Sequence, residues 1–529
     1  MLASCPSWPA EFVERYVREG YWGEETLGGL PMGWAAARGD RPAIVDGDRR
    51  LSYADLEART GRLAGGLRGL GLGPGSHVVV QLPNSADLVL TCLALFRIGA
   101  RPVLALAQHR RADLEHLFAV SGATAYVTAG RVAGFDHRAL ARELLATVDA
   151  LELVLVAADD SAEFCRIADV DGEPQPDAGD PADVALFLLS GGTTGRPKLI
   201  PRTHRDYVYN LRASAANAQL GPDDVYLAVL PIAHNYALAS PGVLGTLDAG
   251  GTVVIPPTAS PEDAFGLIAG ERVTVTGLVP PLAMLWAQFA GAADLSSLRL
   301  VQVGGSKLTP AAARTVGPAL GCRIQQSFGM AEGLLSQSGP DESTELLETA
   351  QGRPISAGDE IRVVDDAGCD VPDGRVGRLL VRGPYTVRGY YAADAYNATA
   401  FTDDGYLRTG DLVRRLPSGH LVVTGRADDL INRGGDKIAP DEVEDHLLAH
   451  PDVVDAIVTG MTDPTLGERA CAWVVTRGPG LRLRDIVAFL TSRGVATYKM
   501  PERLELVDAL PRTGVGKVDR TRLRTWADR

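Results

Sequence analysis

The sequence predicts an α/β protein: a large N-terminal region of layered α/β sheets with a small β region, then a small α+β C-terminal domain. Three observations carry that prediction. Apolar runs of strand length alternate with helical patterns through the first ~420 residues, as expected of helices packed on largely parallel sheets. From about Glu360 the runs shorten and are split by Asp-Asp, Asp-Gly and Ser-Gly turns, which suits antiparallel strands. Beyond Gly425 helical and strand patterns mix within a short span. A chain of 529 residues exceeds what one core organises, so two or three packed units are expected.

Taken in order, the strand-like runs are Val78–Leu82, Val184–Leu189, Val225–Leu230, Thr252–Ile255, Val273–Leu278 and Leu298–Val303. Helical stretches at Pro261–Gly270 and Pro310–Leu320 each begin with proline, whose missing N–H costs nothing in a first turn. Leu88–Leu106 is the most apolar stretch, but Arg97 and Arg101 interrupt it. It predicts a buried helix followed by a strand, not a membrane span. In the later region, Ile361–Val364, Arg378–Val381 and His420–Thr424 predict short strands. Asp441–Leu448 predicts a helix with acids in its first turn, and Asp485–Ser492 a second helix. Ala470–Thr476 and Leu504–Val507 predict strands. The polar turn Gly425-Arg-Ala-Asp-Asp429 marks the expected boundary, giving domains 1–425 and 426–529.

A net charge of −14 leaves no basic excess to neutralise nucleic-acid phosphates. No membrane span or secretory leader is expected, since Pro6, Trp8, Pro9 and Glu11 stand where a leader's apolar core would be. Six scattered cysteines without C-x-x-C spacing point to free thiols in a reducing compartment, and the expectation is a cytoplasmic protein. Of 52 basic residues only five are lysines: Lys198, Lys307, Lys437, Lys499 and Lys517. Four of these lie in or beside glycine-rich turns. Lysine presents a slim point charge where arginine presents a planar fork, so some of these positions are expected to need an ammonium beside a closely approaching anion.

The buried strand ending at Leu189 runs into Ser190-Gly191-Gly192-Thr193-Thr194-Gly195-Arg196-Pro197-Lys198. Glycines admit backbone N–H groups close to phosphate oxygens, and two threonine hydroxyls and Lys198 add donors. The spacing is neither a Walker loop nor a dinucleotide fingerprint. A P-loop NTPase is therefore disfavoured, and the discriminating products are AMP and pyrophosphate.

Ser190–Lys198 resembles the signature loop of the acyl-adenylate-forming superfamily. The resemblance continues in order over more than 300 residues. Gln326-Ser-Phe-Gly-Met-Ala-Glu332 resembles the adenine-side motif, Tyr406-Leu-Arg-Thr-Gly-Asp411 the ribose motif, Gly425-Arg-Ala-Asp-Asp-Leu-Ile431 the hinge, and Pro511-Arg-Thr-Gly-Val-Gly-Lys517 the terminal lysine motif. It implies ATP and Mg²⁺, with the 190–198 loop on the β/γ-phosphates and Glu332 on the metal. Gly329, Met330 and Ala331 would lie on the adenine side. Gly304 and Gly305 would let the chain lie flat against adenine and substrate. Asp411 would hold the ribose hydroxyls, Arg426 the ribose or phosphate, and Lys437 the nucleotide or pantetheine path. Lys517 would stand between carboxylate and α-phosphate. Asp428 would be the hinge on which a mobile C-terminal domain turns. Loss of Lys517, Asp411 or Glu332 would have pointed to a non-catalytic nucleotide-binding relative; all three are present.

Pro231-Ile-Ala-His-Asn-Tyr-Ala-Leu-Ala-Ser240 is similar to the pocket motif of stand-alone aryl-acid–AMP ligases of the 2,3-dihydroxybenzoate type. Amino-acid-activating relatives carry an aspartate where this chain has Asn235. The resemblance implies Tyr236 against the aromatic ring, His234 near the carboxylate, and Ser240 on a second ring oxygen, with Leu335 also lining the pocket. Ser306 and Ser327 depart from the small or apolar residues usual in that family. Their extra hydroxyls suggest a more polar ring, with 3-hydroxypicolinate or 3-hydroxyanthranilate as alternatives; salicylate is a further alternative. No Gly-Gly-x-Ser attachment site follows Lys517, so the expected acceptor is the phosphopantetheine thiol of an aryl carrier protein in trans, with coenzyme A as the alternative. The implied setting is siderophore, nonribosomal peptide or antibiotic biosynthesis.

Overall fold

Valine, isoleucine and leucine runs flanked by glycine and proline turns form strands when both faces can be covered, and here helices cover them. The structure, a computed structural model, describes residues 2, 4–190, 197–433, 436–463, 466–478, 480–493, 495, 497–513 and 516–528. They pack as two units. The first comprises residues 1–348, 352–360 and 381–407; the second comprises 349–351, 361–380 and 408–529.

The first unit holds two large sheets. One has nine strands, whose order runs Arg353–Pro354, Gly333–Gln337, Arg323–Met330, Leu300–Gly304, Val275–Leu278, Val225–Leu227, Thr252–Ile255, Pro42–Asp46, Arg49–Ser52. Its six central strands are parallel, and antiparallel strands close both edges. The other has seven strands centred on His77–Gln81, with the antiparallel pair Val184–Leu189 and Leu199–Thr203 at one edge. The apolar stretch at 88–106 is the buried helix Ala86–Arg97 followed by the strand Arg101–Leu104. Arg97 is tolerated inside because its fork meets Glu57 at 2.9 and 2.7 Å and its Nε donates to the Gly28 carbonyl at 2.8 Å. Among the described residues no helix is long and apolar enough to cross a membrane.

The expected strand Val225–Leu230 stops at Leu227. The physical reason is Asn84. Its amide nitrogen donates to the carbonyls of Ala228 at 3.0 Å and Leu230 at 2.8 Å, and its Oδ1 accepts from Ile232 N at 2.8 Å. A side chain thus replaces the ladder and turns the chain off the sheet toward residues 234–240. Alternating hydrophobicity carries no trace of such a clamp.

The second unit combines a four-stranded sheet, Glu360–Val364, Val376–Arg382, Leu407–Arg415 and Leu421–Arg426, with a five-stranded sheet built on the long hairpin Val453–Asp463 and Gly467–Thr476. Helices Pro440–Leu447, Leu483–Ser492 and Arg520–Ala527 complete it. The boundary expected at 425/426 falls inside this unit, because Asp411 lies opposite Arg426 in the antiparallel pair and ties residues 408–426 together.

Candidate active site

The parallel strands of the nine-stranded sheet end together, and their C-terminal edge is where such sheets present binding groups. In-register pairing puts Gly277 beside Gln302 and Gly304 beside Ser327 on one face. Two glycines there leave room for a ring. A Cβ on Gly304 would stand 2.8 Å from the Ser327 carbonyl oxygen, 3.1 Å from Tyr236 Cζ and 3.2 Å from Ser327 Cβ. One on Gly277 would stand 3.7 Å from Tyr236 Oη. Tyr236 therefore lies over a floor that any side chain would lift. Burial holds its phenol well above the usual value, so it stays neutral.

Tyr236 leaves the short helix Asn235–Ala239 with two other expected residues. Asn235 and Ser240 are buried, joined by Asn235 Nδ2 to Ser240 Oγ at 3.4 Å. Tyr207 Oη donates to Asn235 Oδ1 at 2.9 Å. His234 caps the helix, its Nδ1 accepting from Tyr236 N at 3.4 Å, which puts the proton of a neutral ring on Nε2. Ser327 is buried, and its Oγ accepts from Gln337 Nε2 at 3.2 Å, whose Oε1 takes an N–H from Asn217 at 3.2 Å. Leu335 is buried opposite Gly329, where a Cβ would come within 2.5 Å of Leu335 Cδ2. Gly305 and Ser306 are exposed at the end of the strand, Gly305 with φ +83°.

Ser190 and Lys198 close the phosphate-loop segment: Ser190 N donates to the Lys198 carbonyl and Lys198 N to Ser190 Oγ, both at 3.0 Å. Gly191, Gly192, Thr193, Thr194 and Gly195 lie outside the described residues. Lys198 Nζ sits 3.8 Å from the Tyr396 ring centroid, a cation–π contact. At the other motif, Glu332 Oε1 accepts from Tyr390 Oη at 2.8 Å and its carbonyl accepts from Val387 N at 2.7 Å. Beside it the Ala331 carbonyl accepts from Arg202 Nη1 at 2.9 Å. Met330 ends the same strand, partly buried.

In the second unit Asp411 is buried and takes Arg426 Nη1 at 3.2 Å, while Arg426 Nη2 reaches the Thr409 carbonyl at 3.2 Å. Gly410, at φ +77°, makes this approach feasible, since a Cβ there would stand 2.8 Å from Arg426 Nη2. Lys517 is exposed on a turn closed by Thr513 N donating to its carbonyl at 2.7 Å, with Gly516 at φ +81°. The backbone of Asp428 lies in the 3₁₀ turn Ala427–Asp429 and that of Lys437 in the strand Asp436–Ile438; the side chains of both lie outside the described residues.

Residues 33–391 match the family model of the AMP-binding enzymes, and residues 442–517 that of the AMP-binding enzyme C-terminal domain. The chain is an AMP-binding enzyme. It is 48% identical to the 2,3-dihydroxybenzoate-AMP ligase of Bacillus subtilis, over 99% of this chain and 98% of the relative. It is 47% identical to a salicyl-AMP ligase / salicyl-S-ArCP synthetase of Mycobacterium tuberculosis, over 98% of this chain and 94% of that one. The apo structure of MbtA from Mycobacterium smegmatis matches it with a TM-score of 0.77 at 46% identity, covering 99% of each chain. AMP-binding enzymes use ATP.

Several residues that shape this AMP-binding enzyme's site escaped the sequence reading. Arg202 lies on the strand Leu199–Thr203 and Tyr207 on the helix His204–Asn217 that follows it, and nothing local marks either, while Gln337 looks like an ordinary strand residue. Tyr390 and Tyr396 meet Glu332 and Lys198 only through the fold.

Proposed function

We propose that the chain converts a hydroxylated aromatic carboxylic acid, 2,3-dihydroxybenzoate-like, into its acyl-adenylate and then passes the acyl group to a phosphopantetheine thiol of an aryl carrier protein. The observation that carries the reading is the acid pocket itself. A neutral, clamped amide stands at Asn235 where an amine-pairing carboxylate would be needed for an amino acid, and the Tyr236 ring packs over Gly277 and Gly304, offering an aromatic wall beside it. The likeness to full-length relatives whose names specify aromatic acids supports the same class.

A carboxylate is a poor electrophile because hydroxide equivalents leave badly. One carboxylate oxygen attacks the α-phosphorus of ATP, the bond to the bridging oxygen breaks, and pyrophosphate departs with the electron pair. Negative charge grows on the phosphate oxygens, so positioned cations and N–H donors do most of the work. In this scheme His234 Nε2–H orients the carboxylate, Lys517 stands at the α-phosphate, the 190–198 loop holds the outer phosphates, and Asp411 with Arg426 holds the ribose. Lys437 serves the nucleotide or the thiol's path.

Magnesium fits the donor present. Glu332 offers a hard carboxylate oxygen held in place by a phenol. Magnesium takes one or two carboxylates and completes its shell with waters and phosphate oxygens, so a single glutamate suffices. Bound there, it would neutralise phosphate charge. In the second half-reaction a thiolate attacks the acyl carbon and AMP leaves.

Acid-dependent exchange of labelled pyrophosphate into ATP tests the first half-reaction. Exchange is expected with 2,3-dihydroxybenzoate, salicylate or 3-hydroxypicolinate and not with amino acids. No exchange with any hydroxylated aromatic acid would end this reading. Thioester formation on a phosphopantetheinylated carrier protein, set against free coenzyme A, identifies the acceptor.

A further inference from the structure

The Asn235 amide is held in one of its two orientations. Tyr207, fully buried on the helix His204–Asn217, donates its hydroxyl to Asn235 Oδ1 at 2.9 Å. The amide nitrogen donates to Ser240 Oγ at 3.4 Å, and the Ser240 hydroxyl donates to the Asn235 carbonyl at 3.4 Å. All three bonds run in one direction. Turning the amide over would set its NH₂ against the Tyr207 oxygen and strand the phenolic proton in a buried site, which is the expensive way to lose a hydrogen bond. Nor can the ring swing away. The Arg202 guanidinium lies 4.8 Å from its centroid and is itself fixed by Asp206 at 2.8 Å and the Ala331 carbonyl at 2.9 Å. Burial keeps the Tyr207 phenol well above its usual value, so it remains a donor throughout the range in which the protein works.

An amide nitrogen carries two hydrogens, and Ser240 takes one. We propose that Tyr207 is the positioning residue that fixes the acid pocket as a hydrogen-bond donor, so that the substrate must present an acceptor atom beside its carboxylate. This rests on the aromatic-acid reading above and narrows it. A hydroxyl ortho to the carboxylate closes its own proton onto that carboxylate and turns lone pairs outward, toward the amide N–H. A ring nitrogen at that position also presents a lone pair. An ortho amino group spends one N–H on the carboxylate and turns the second outward, so donor meets donor. The pocket therefore selects 2-hydroxy and ring-nitrogen acids over 2-amino acids.

The experiment compares 2-hydroxybenzoate with 2-aminobenzoate in pyrophosphate exchange, using the full chain and its Tyr207→Phe variant, which keeps the ring and removes the donor. Calorimetric dissociation constants for the two acids provide a readout that needs no turnover. The parent is expected to prefer the hydroxy acid by roughly tenfold or more, the selectivity that one mismatched buried hydrogen bond supplies. Tyr207→Phe is expected to erase most of that preference, because the freed amide can turn its oxygen toward an amino group. Equal losses on both acids, or an unchanged preference, overturn the proposal and leave the aromatic-acid reading standing. Failure of the parent to use or bind any aromatic acid is a separate result, and it removes that reading and this proposal together.

Discussion

Lys517 sits where a turn closed between residues 513 and 517 carries an exposed ammonium next to a glycine at φ +81°. A long, flexible stem on a narrow glycine tip can enter a crowded polar site that a guanidinium fork cannot. In the proposed reaction this cation meets charge that exists mainly in the transition state, so its loss should appear in kcat more than in binding. Lys517→Ala is expected to slow pyrophosphate exchange by on the order of 10²–10³-fold, the size seen when one preorganised donor is removed. Exchange near the parent rate would exclude this role. At this scale the sequence names candidates wherever chemistry demands a residue type at a fixed spacing, as at Ser190, Asp411 and Lys517. It was not legible for Tyr207, Gln337 or Tyr390, whose functions exist only because distant segments meet. Nothing local distinguishes a tyrosine that orients an amide from one that fills a core.

At the scale of elements, strands with continuous apolar or β-branched runs and proline-started helices could be read almost to the residue, as at Val184–Leu189, Thr252–Ile255 and Pro310–Leu320. The reading failed where a side chain ends an element, as Asn84 does. The loop after Arg353–Pro354 makes a contact the sequence also does not announce, beneath Leu335, a residue of the proposed acid pocket. Tyr385 Oη accepts from Leu335 N at 3.1 Å and donates to Asp359 Oδ2 at 2.7 Å, while Asp359 Oδ1 is enclosed without a partner among the described residues. Burial pushes the Asp359 carboxyl up to about 7. An unfolded aspartate titrates near 4, so between roughly pH 4 and 7 the folded protein binds the extra proton. Stability from this group is full below that window and is lost as pH rises through about 7. Asp359→Asn, neutral at every pH, should lose less melting temperature than the parent between about pH 4 and 7. Glu444 in the second unit is also pushed to about 7 by burial, against the nearby Arg520, so the informative quantity is the difference between variant and parent. Parallel melting curves across that range would rule out the assignment.

For the whole molecule, the two half-reactions make incompatible demands. Adenylation calls for an ammonium at the α-phosphate with water excluded. Thioester formation calls for a thiol to approach the acyl carbon once pyrophosphate has gone. One way to satisfy both is for the lobe carrying Lys517 to turn about Asp428 between the steps, and the 3₁₀ turn Ala427–Asp429 is short enough to localise such a rotation in a few backbone angles. Proline at 428 would fix φ near −65° and restrict Ala427 as well. Asp428→Pro is therefore expected to depress thioester formation on the carrier protein well beyond its effect on pyrophosphate exchange, by roughly tenfold or more if the second arrangement becomes about 1.4 kcal/mol harder to reach. The measurement is single-turnover transfer from preformed acyl-adenylate, alongside exchange on the same preparation. Equal losses in both assays would mean that residue 428 matters for folding or for a shared conformation, and the pivot would have to lie elsewhere.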